Sequence, residues 1–210
     1  ANVLDSSVSV SAIDADQIAT TAPRSAAEIF RNIPGIRSES SGGEGNANIA
    51  VRGLPIASGG AKFLQLQEDG LPILEFGDIT FGNADIFLRS DLNIARVEAI
   101  RGGSASTFAS NSPGGVINMI SKTGKGQEGG TIQATLGLDY DEKRFDFDYG
   151  GSLADDLYFH MGGFVRQGEG PRDIGYDGNR GGQFKINITK EFTGGFIRFY
   201  GKYLDDRAVA

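Results

Sequence analysis

Few residues of this chain have the types and spacing that catalysis needs. The single histidine, His160, has no second histidine to work with. Gly102-Gly103-Ser104-Ala105-Ser106 approaches the Gly-x-Ser-x-Gly elbow of a serine hydrolase, but it ends in serine where the turn needs glycine. A Ser-His-Asp relay is therefore not expected, and a hydrolase reading rests on Ser104 alone. Cysteine is absent, which removes disulfides, thiolate-bound zinc, iron–sulfur clusters and a cysteine nucleophile. No phosphate-binding GxxxxGK[ST] occurs, and no GxGxxG leads from a strand into a helix. The pairs Asp139/Asp141, Asp155/Asp156 and Asp205/Asp206 have ligand chemistry for calcium, but none lies in an EF-hand loop with its closing glutamate. They read as solvated turn carboxylates. The expectation is a protein that is not an enzyme, with no catalytic residues, metal or cofactor.

What remains is a question of elements. The 210 residues include 32 glycines and no tryptophan, with a net charge of −7. An acidic chain argues against nucleic acid as partner, because phosphate neutralisation needs a basic face. Aromatic residues divide the sequence: six lie in 1–124, and fourteen, including all six tyrosines, lie in 125–210. Between them runs the polar, glycine-rich stretch 122–130. In the first part, Ser25 and Glu28 have the spacing of a capping box, and Ala26, Ile29, Phe30 and Ile33 form one apolar helix face that Pro34-Gly35 ends. Strands are expected at 8–13, 48–52, 63–67, 96–101 and 116–121, with a tight turn at Asp69-Gly70 and Pro72 confined to an edge.

The second part alternates with period two through five successive runs, with no helical pattern between them. Ile132, Ala134, Leu136; Phe145, Phe147, Tyr149; Phe159, Met161, Val165; Phe184, Ile186, Ile188; and Ile197, Phe199, Tyr203 mark the apolar side, with Phe164 out of pattern. Alternation alone leaves open whether that side meets a protein core or lipid. A soluble β-rich two-domain ligand-binding module would turn it inward, and a membrane barrel would turn it outward. Several runs approach the ~9–11 residues that a tilted strand needs to cross a bilayer. The short turns near 154–156 and 191–194 alternate with a long polar loop at 167–181, as in outer-membrane barrels. His160 then reads as a lumen-facing polar residue.

Five blocks, in order, resemble the plug domain of TonB-dependent outer-membrane receptors: Ala27-Glu28-Ile29-Phe30-Arg31-Asn32-Ile33-Pro34-Gly35-Ile36, Ile49-Ala50-Val51-Arg52-Gly53, Glu68-Asp69-Gly70-Leu71-Pro72, Ile94-Ala95-Arg96-Val97-Glu98-Ala99-Ile100-Arg101-Gly102-Gly103, and Ser112-Pro113-Gly114-Gly115-Val116-Ile117-Asn118-Met119-Ile120-Ser121-Lys122. The resemblance implies an α+β plug domain followed by antiparallel transmembrane strands, the start of an incomplete 22-stranded β-barrel. The expected domains are a plug over 1–124, a linker over 125–130 and the first barrel strands over 131–210. At roughly 17 residues per strand, closing such a barrel takes at least ~370 residues after the linker, so the chain is expected to be part of a receptor whose TonB box precedes it.

The resemblance also implies function. It points to active import of a scarce nutrient (a carbohydrate, siderophore or aromatic compound) across the outer membrane of a Gram-negative bacterium, with the plug gating the lumen. Implied partners are TonB with its inner-membrane energising complex, an extracellular small-molecule nutrient and outer-membrane lipid. Arg52, Glu98 and Arg101 are the implied plug–barrel latch, with wall glutamates expected downstream of Ala210. Glu44, Asn46, Ser58, Lys62, Glu75, Phe76, Asp78 and Phe81 are the implied ligand-facing loop residues, and the carboxylate–aromatic mixture over 75–81 suits a sugar-like or aromatic ligand. Gly35, Gly53, Gly70, Gly102, Gly114 and Gly115 are expected to serve turns and close backbone approaches.

Overall fold

The computed structural model describes residues 9–40, 44–45, 47–54, 63–73, 84–102, 105, 107, 109, 112–170 and 173–208. The chain forms two compact units: Ala1–Ser90 with Ile94–Ile120, and Asp91–Asn93 with Ser121–Val209.

In the first unit, β1 (Ser9–Asp14) runs directly into α1 (Ala15–Thr21), a helix that the apolar pattern does not announce. Its only buried residue is Ile18. A full capping box starts it: Asp14 Oδ1 accepts from the Gln17 amide at 2.8 Å, and Gln17 Oε1 accepts from the Asp14 amide at 3.1 Å. The second helix, α2 (Ala26–Arg31), has Ser25 as its N-cap. Here the box is only half made, because the Glu28 carboxylate accepts from the Arg24 amide at 2.7 Å. Ala26, Ala27, Ile29 and Phe30 are buried along α2, and Ile33 continues the same face.

Pro34-Gly35 turns the chain into β2 (Ile36–Ser40), which pairs antiparallel with β3 (Ala47–Val51). Next come β4 (Leu64–Glu68) and β5 (Leu71–Pro72), then a short 3-10 helix (Ala84–Phe87), β6 (Ile94–Arg101) and β7 (Gly115–Ser121). The main sheet has the order β1-β6-β7-β4-β5, with β1 antiparallel to β6 and β4 parallel to β7. Asp69 and Gly70 have φ of 52° and 84°, the left-handed pair that a two-residue hairpin turn requires. Pro72 lies on the outermost strand, where its missing N–H interrupts no ladder. The core is small and aliphatic: Leu66, Val97, Ala99, Ile117 and Met119 cluster with Ile29, Phe30 and Ile33.

The second unit is an up-and-down meander of β8 (Gly129–Leu136), β9 (Glu142–Ala154), β10 (Leu157–Gly168), β11 (Asn179–Phe192) and β12 (Gly195–Arg207), each antiparallel to the next. β9 to β12 are 12 to 14 residues long, about twice the ordinary strand. Among the described residues, no helix is long and apolar enough to cross a membrane.

The register puts the apolar residues on one face. Phe147, Gly163 and Phe184 lie abreast, as do Tyr149, Met161 and Ile186, and Phe159, Ile188 and Phe199. That face is open: Ile132 is 74% exposed, Val165 60% and Phe199 61%. The opposite face carries Asp146, Asp148, His160, Arg166, Gln183, Lys185, Asn187 and Thr189, all buried. A soluble sandwich requires the reverse, so the stripe is not the inside of a closed dry core. Phe164 falls on the polar face because it keeps the strand's alternation; Arg144 stands 3.9 Å and Arg166 5.8 Å from its ring centroid. Its apolar body satisfies two guanidinium planes.

Phe30 is fully buried at the centre of the first unit's core. Phe30→Ala should lower the opening free energy of that unit by about 3–5 kcal/mol. Limited proteolysis should then cut within α2 and β3 sooner while β9 to β12 stay intact.

Candidate functional site

Three turns of the first unit bring two guanidinium groups together. Arg52 follows β3 with φ of 48°, and its amide donates to Gly35 O at 3.0 Å. Arg101 ends β6 and donates through Nη1 to Pro34 O. A Cβ placed on Gly35 would lie 3.7 Å from Arg52 Cγ and 3.9 Å from Arg101 Cδ, so both side chains pass over the same turn. The two arginines also share an acceptor: Ser9 Oγ receives Arg52 Nη2 at 2.8 Å and Arg101 Nη2 at 3.1 Å. Burial, and next the charge of Arg52, hold the Arg101 guanidinium below its ordinary pKa.

Glu98 is not part of this group. Alternation along β6 puts Val97, Ala99 and Arg101 on its buried side, and Glu98 on the other with Arg96, at 2.7 Å between Nε and Oε1. That half-exposed pair contributes little stability. The structure therefore joins Arg52 and Arg101, separates Glu98 from them, and adds Ser9. The signal for Ser9 is its register directly across from Arg101, which the sequence does not display.

Of the loop residues singled out, Glu44 lies among the described residues; Asn46, Ser58, Lys62, Glu75, Phe76, Asp78 and Phe81 lie outside them, as does Ser104. Glu44 pairs with Arg89 at 3.6 Å in a largely buried contact. Beside it, Asp85 accepts from the Ala47 amide at 3.1 and 3.3 Å, tying the 3-10 helix to β3. Among the glycines, Gly35, Gly53, Gly70 and Gly102 have φ between +77° and +89°, and Gly115 has +154°. Gly114 instead serves a close approach, since a Cβ there would meet Phe63 O at 2.8 Å.

The polar face of the second unit carries several paired groups. Asp148 Oδ2 accepts from Lys122 Nζ at 2.8 Å and lies 3.1 Å from His160 Nε2, while its Oδ1 accepts from the Thr131 amide at 2.9 Å. Arg166 and Asp206 form a fully buried bidentate pair with both contacts at 2.7 Å. Asp91 accepts from Gln183 Nε2 at 2.5 Å and lies 3.8 Å from Lys185 Nζ, so segment 91–93 is pinned to β11. Lys125 reaches Glu191 at 2.5 Å and caps the Tyr158 ring. Gly124 passes so close to β10 that a Cβ would lie 1.9 Å from Phe159 O. The residues before β8 are thus strapped to the strand ends. No cluster of metal-ligating side chains occurs among the described residues.

A family model described as "TonB-dependent Receptor Plug Domain" matches residues 2–116. Curated relatives include the vitamin B12 transporter BtuB of Photobacterium profundum, 31% identical over 70% of this chain and 22% of its own length. The ferrienterobactin receptor of Escherichia coli is 29% identical over 73% of this chain and 22% of its own. The chain thus spans about a fifth of the length of these relatives. Among solved structures, Pseudomonas aeruginosa FpvA bound to a heterologous pyoverdine aligns with a TM-score of 0.72 at 18% identity, over 96% of this chain and 26% of that one. The siderophore receptor PirA of the same species gives 0.63 at 19% identity, over 92% and 33%.

Burial raises the Asp85 pKa from 3.8 to about 6, against the opposing pull of the Ala47 amide and Arg89. A carboxyl that holds its proton more tightly when folded stabilises fully below its unfolded pKa, and the contribution is lost as pH rises through the folded value. Opening of the 3-10 helix away from β3, which returns the Asp85 carboxyl to water, should therefore cost roughly 2 kcal/mol less at pH 7 than at pH 4. Amide exchange at Ala47, corrected for intrinsic rates, should show this in the native protein and lose the pH dependence in Asp85→Asn.

Proposed function

Because the chain belongs to the TonB-dependent receptor plug domain family, outer-membrane receptors of Gram-negative bacteria rather than enzymes, we propose that it works in TonB-dependent import of a scarce nutrient. In this reading residues 1–124 are the plug that gates a 22-stranded barrel, 125–130 are the connection, and 131–210 begin the wall. The observation that carries it is the inverted second unit, with an apolar face open and a polar face buried. Hydrocarbon is the solvent that such a face suits, and the lipid of the outer membrane is its partner. A soluble binding module would need another surface to cover the stripe.

The latch is placed on Arg52 and Arg101. Arg101 is buried and the neighbouring Arg52 is exposed; a buried cation is costly to leave unpaired, so acidic wall groups hold the plug firmly until they are withdrawn. TonB, driven by its inner-membrane complex, supplies the pull, and the small core of the first unit lets that unit open at lower cost than the long-stranded wall. The relatives are named for vitamin B12 and ferric enterobactin, and the cargo is assigned to the siderophore or corrinoid class ahead of a carbohydrate or other aromatic compound. The loop residues Asn46, Ser58, Lys62, Glu75, Phe76, Asp78 and Phe81 are its proposed plug contacts. Glu44 is engaged by Arg89 instead.

Uptake of labelled ferric enterobactin and of cyanocobalamin by cells carrying the full-length receptor, with and without TonB, tests the function. One cargo should accumulate, and only with TonB. Accumulation of neither by a receptor present in the outer membrane, or equal accumulation without TonB, would contradict the reading. For the latch, Arg101→Glu in the full-length receptor should speed amide exchange across β6 and α2. Unchanged plug protection would count against it.

A further inference from the structure

We propose that Ser9 is a positioning residue of the latch, its hydroxyl holding Arg52 and Arg101 together and letting go when β1 is drawn away; this rests on the reading of the two arginines as a latch. A hydroxyl oxygen has two lone pairs, and both are used here, one for each guanidinium. Ser9 stands directly across from Arg101 in the β1–β6 pair, while Arg52 arrives from the end of β3, 43 residues away. Among the described residues, Ser9 is the one hydrogen-bonding group that both arginines share.

The acceptor is neutral, which makes the arrangement conditional. No carboxylate among the described residues reaches either guanidinium, and Arg101 Nε is buried without a partner among them. The cluster keeps its positive charge, and the hydroxyl, together with Pro34 O on Arg101, sets its geometry. Without it, Arg101 keeps its bond to Pro34 O, while the acceptor common to the two cations is lost.

Position in the sheet gives the hydroxyl its mechanical role. Among the described residues β1 is an edge strand beside β6, and Ser9 is the first of its residues. Tension drawn along β1 from its N-terminal end reaches the Ser9–Arg101 pair before the five pairs that follow it, Val10–Ile100 to Asp14–Arg96. Withdrawing β1 removes one acceptor from both arginines at once, so loss of the strand and loss of the latch geometry are one event.

The full-length receptor in a lipid bilayer, drawn by its N-terminus at constant force, tests this through the lifetime of the first rupture. Ser9→Ala should shorten the lifetime about tenfold, the scale of hydrogen bonds to charged donors. Ser9→Thr, which keeps the hydroxyl, should stay within about threefold of the native lifetime, and Ser9→Asp, which sets a carboxylate between the cations, should lengthen it about tenfold. In an Arg52→Met background the alanine effect should fall below about threefold, because one of its two bonds is already gone. A Ser9 that merely fills a strand position would make aspartate as short-lived as alanine and give the same alanine effect with or without Arg52; either result overturns the proposal. Silent Ser9 variants alongside a loosening Arg101→Glu reject the role of Ser9 alone. Silence of both rejects the latch itself.

Discussion

Everything in the second unit follows from one constraint: its sheet has an oily face that is exposed and a polar face that is buried. A strand can satisfy that only if each inward side chain finds a hydrogen-bond or charge partner, because an unpaired buried polar group costs about 1–3 kcal/mol. The network formed by Lys122, Asp148 and His160, the paired Arg166 and Asp206, and Arg144 with Asp146 is how the sheet meets this demand. Phe164 belongs to the same solution, an apolar ring placed where it can stack against two guanidinium groups. The outward face needs no such matching, and its residues are chosen for hydrophobicity alone.

The first unit obeys ordinary rules. Its core is made of short aliphatic side chains around Phe30, its strands are five to eight residues long apart from the two-residue β5, and its helices last two turns or less. Such a unit has a modest stability reserve, and the buried Asp85 and the convergence of Arg52 with Arg101 both draw on it. Segment 91–93 interrupts it in sequence yet belongs to the second unit through Asp91, Gln183 and Lys185. The chain thus contributes to the second unit twice, at 91–93 and from 121 onward.

Much of this was legible in the sequence, and what was not has physical reasons. Period-two alternation located β9 to β12 because each strand has one apolar and one polar side, and no helical signal competes. It could not say which side faces out, since the pattern is identical for a sandwich and a barrel; the plug-like blocks carried that information. The α1 helix was missed because its start is written in Asp14 and Gln17, while its body buries only Ile18 and shows no apolar periodicity. Ser9 was missed because it meets Arg52 and Arg101 through tertiary structure, across 43 and 92 residues. Glu98 was grouped with the arginines by sequence motif, yet strand alternation turns it to the other side of β6. The ties of Asp91 to Gln183 and Lys185 likewise have no local signature.

The claim on which the account turns is the direction in which the sheet faces, and it has a direct measurement. The chain contains no cysteine, so a spin label attached to a single introduced cysteine reports one position in the full-length receptor reconstituted in lipid. Labels at Ile186 and Phe199 should be readily relaxed by oxygen, which concentrates in hydrocarbon, while labels at the neighbouring Asn187 and Tyr200 should be shielded from it. Equal oxygen access at all four positions, or shielding of Ile186 and Phe199, would contradict the account.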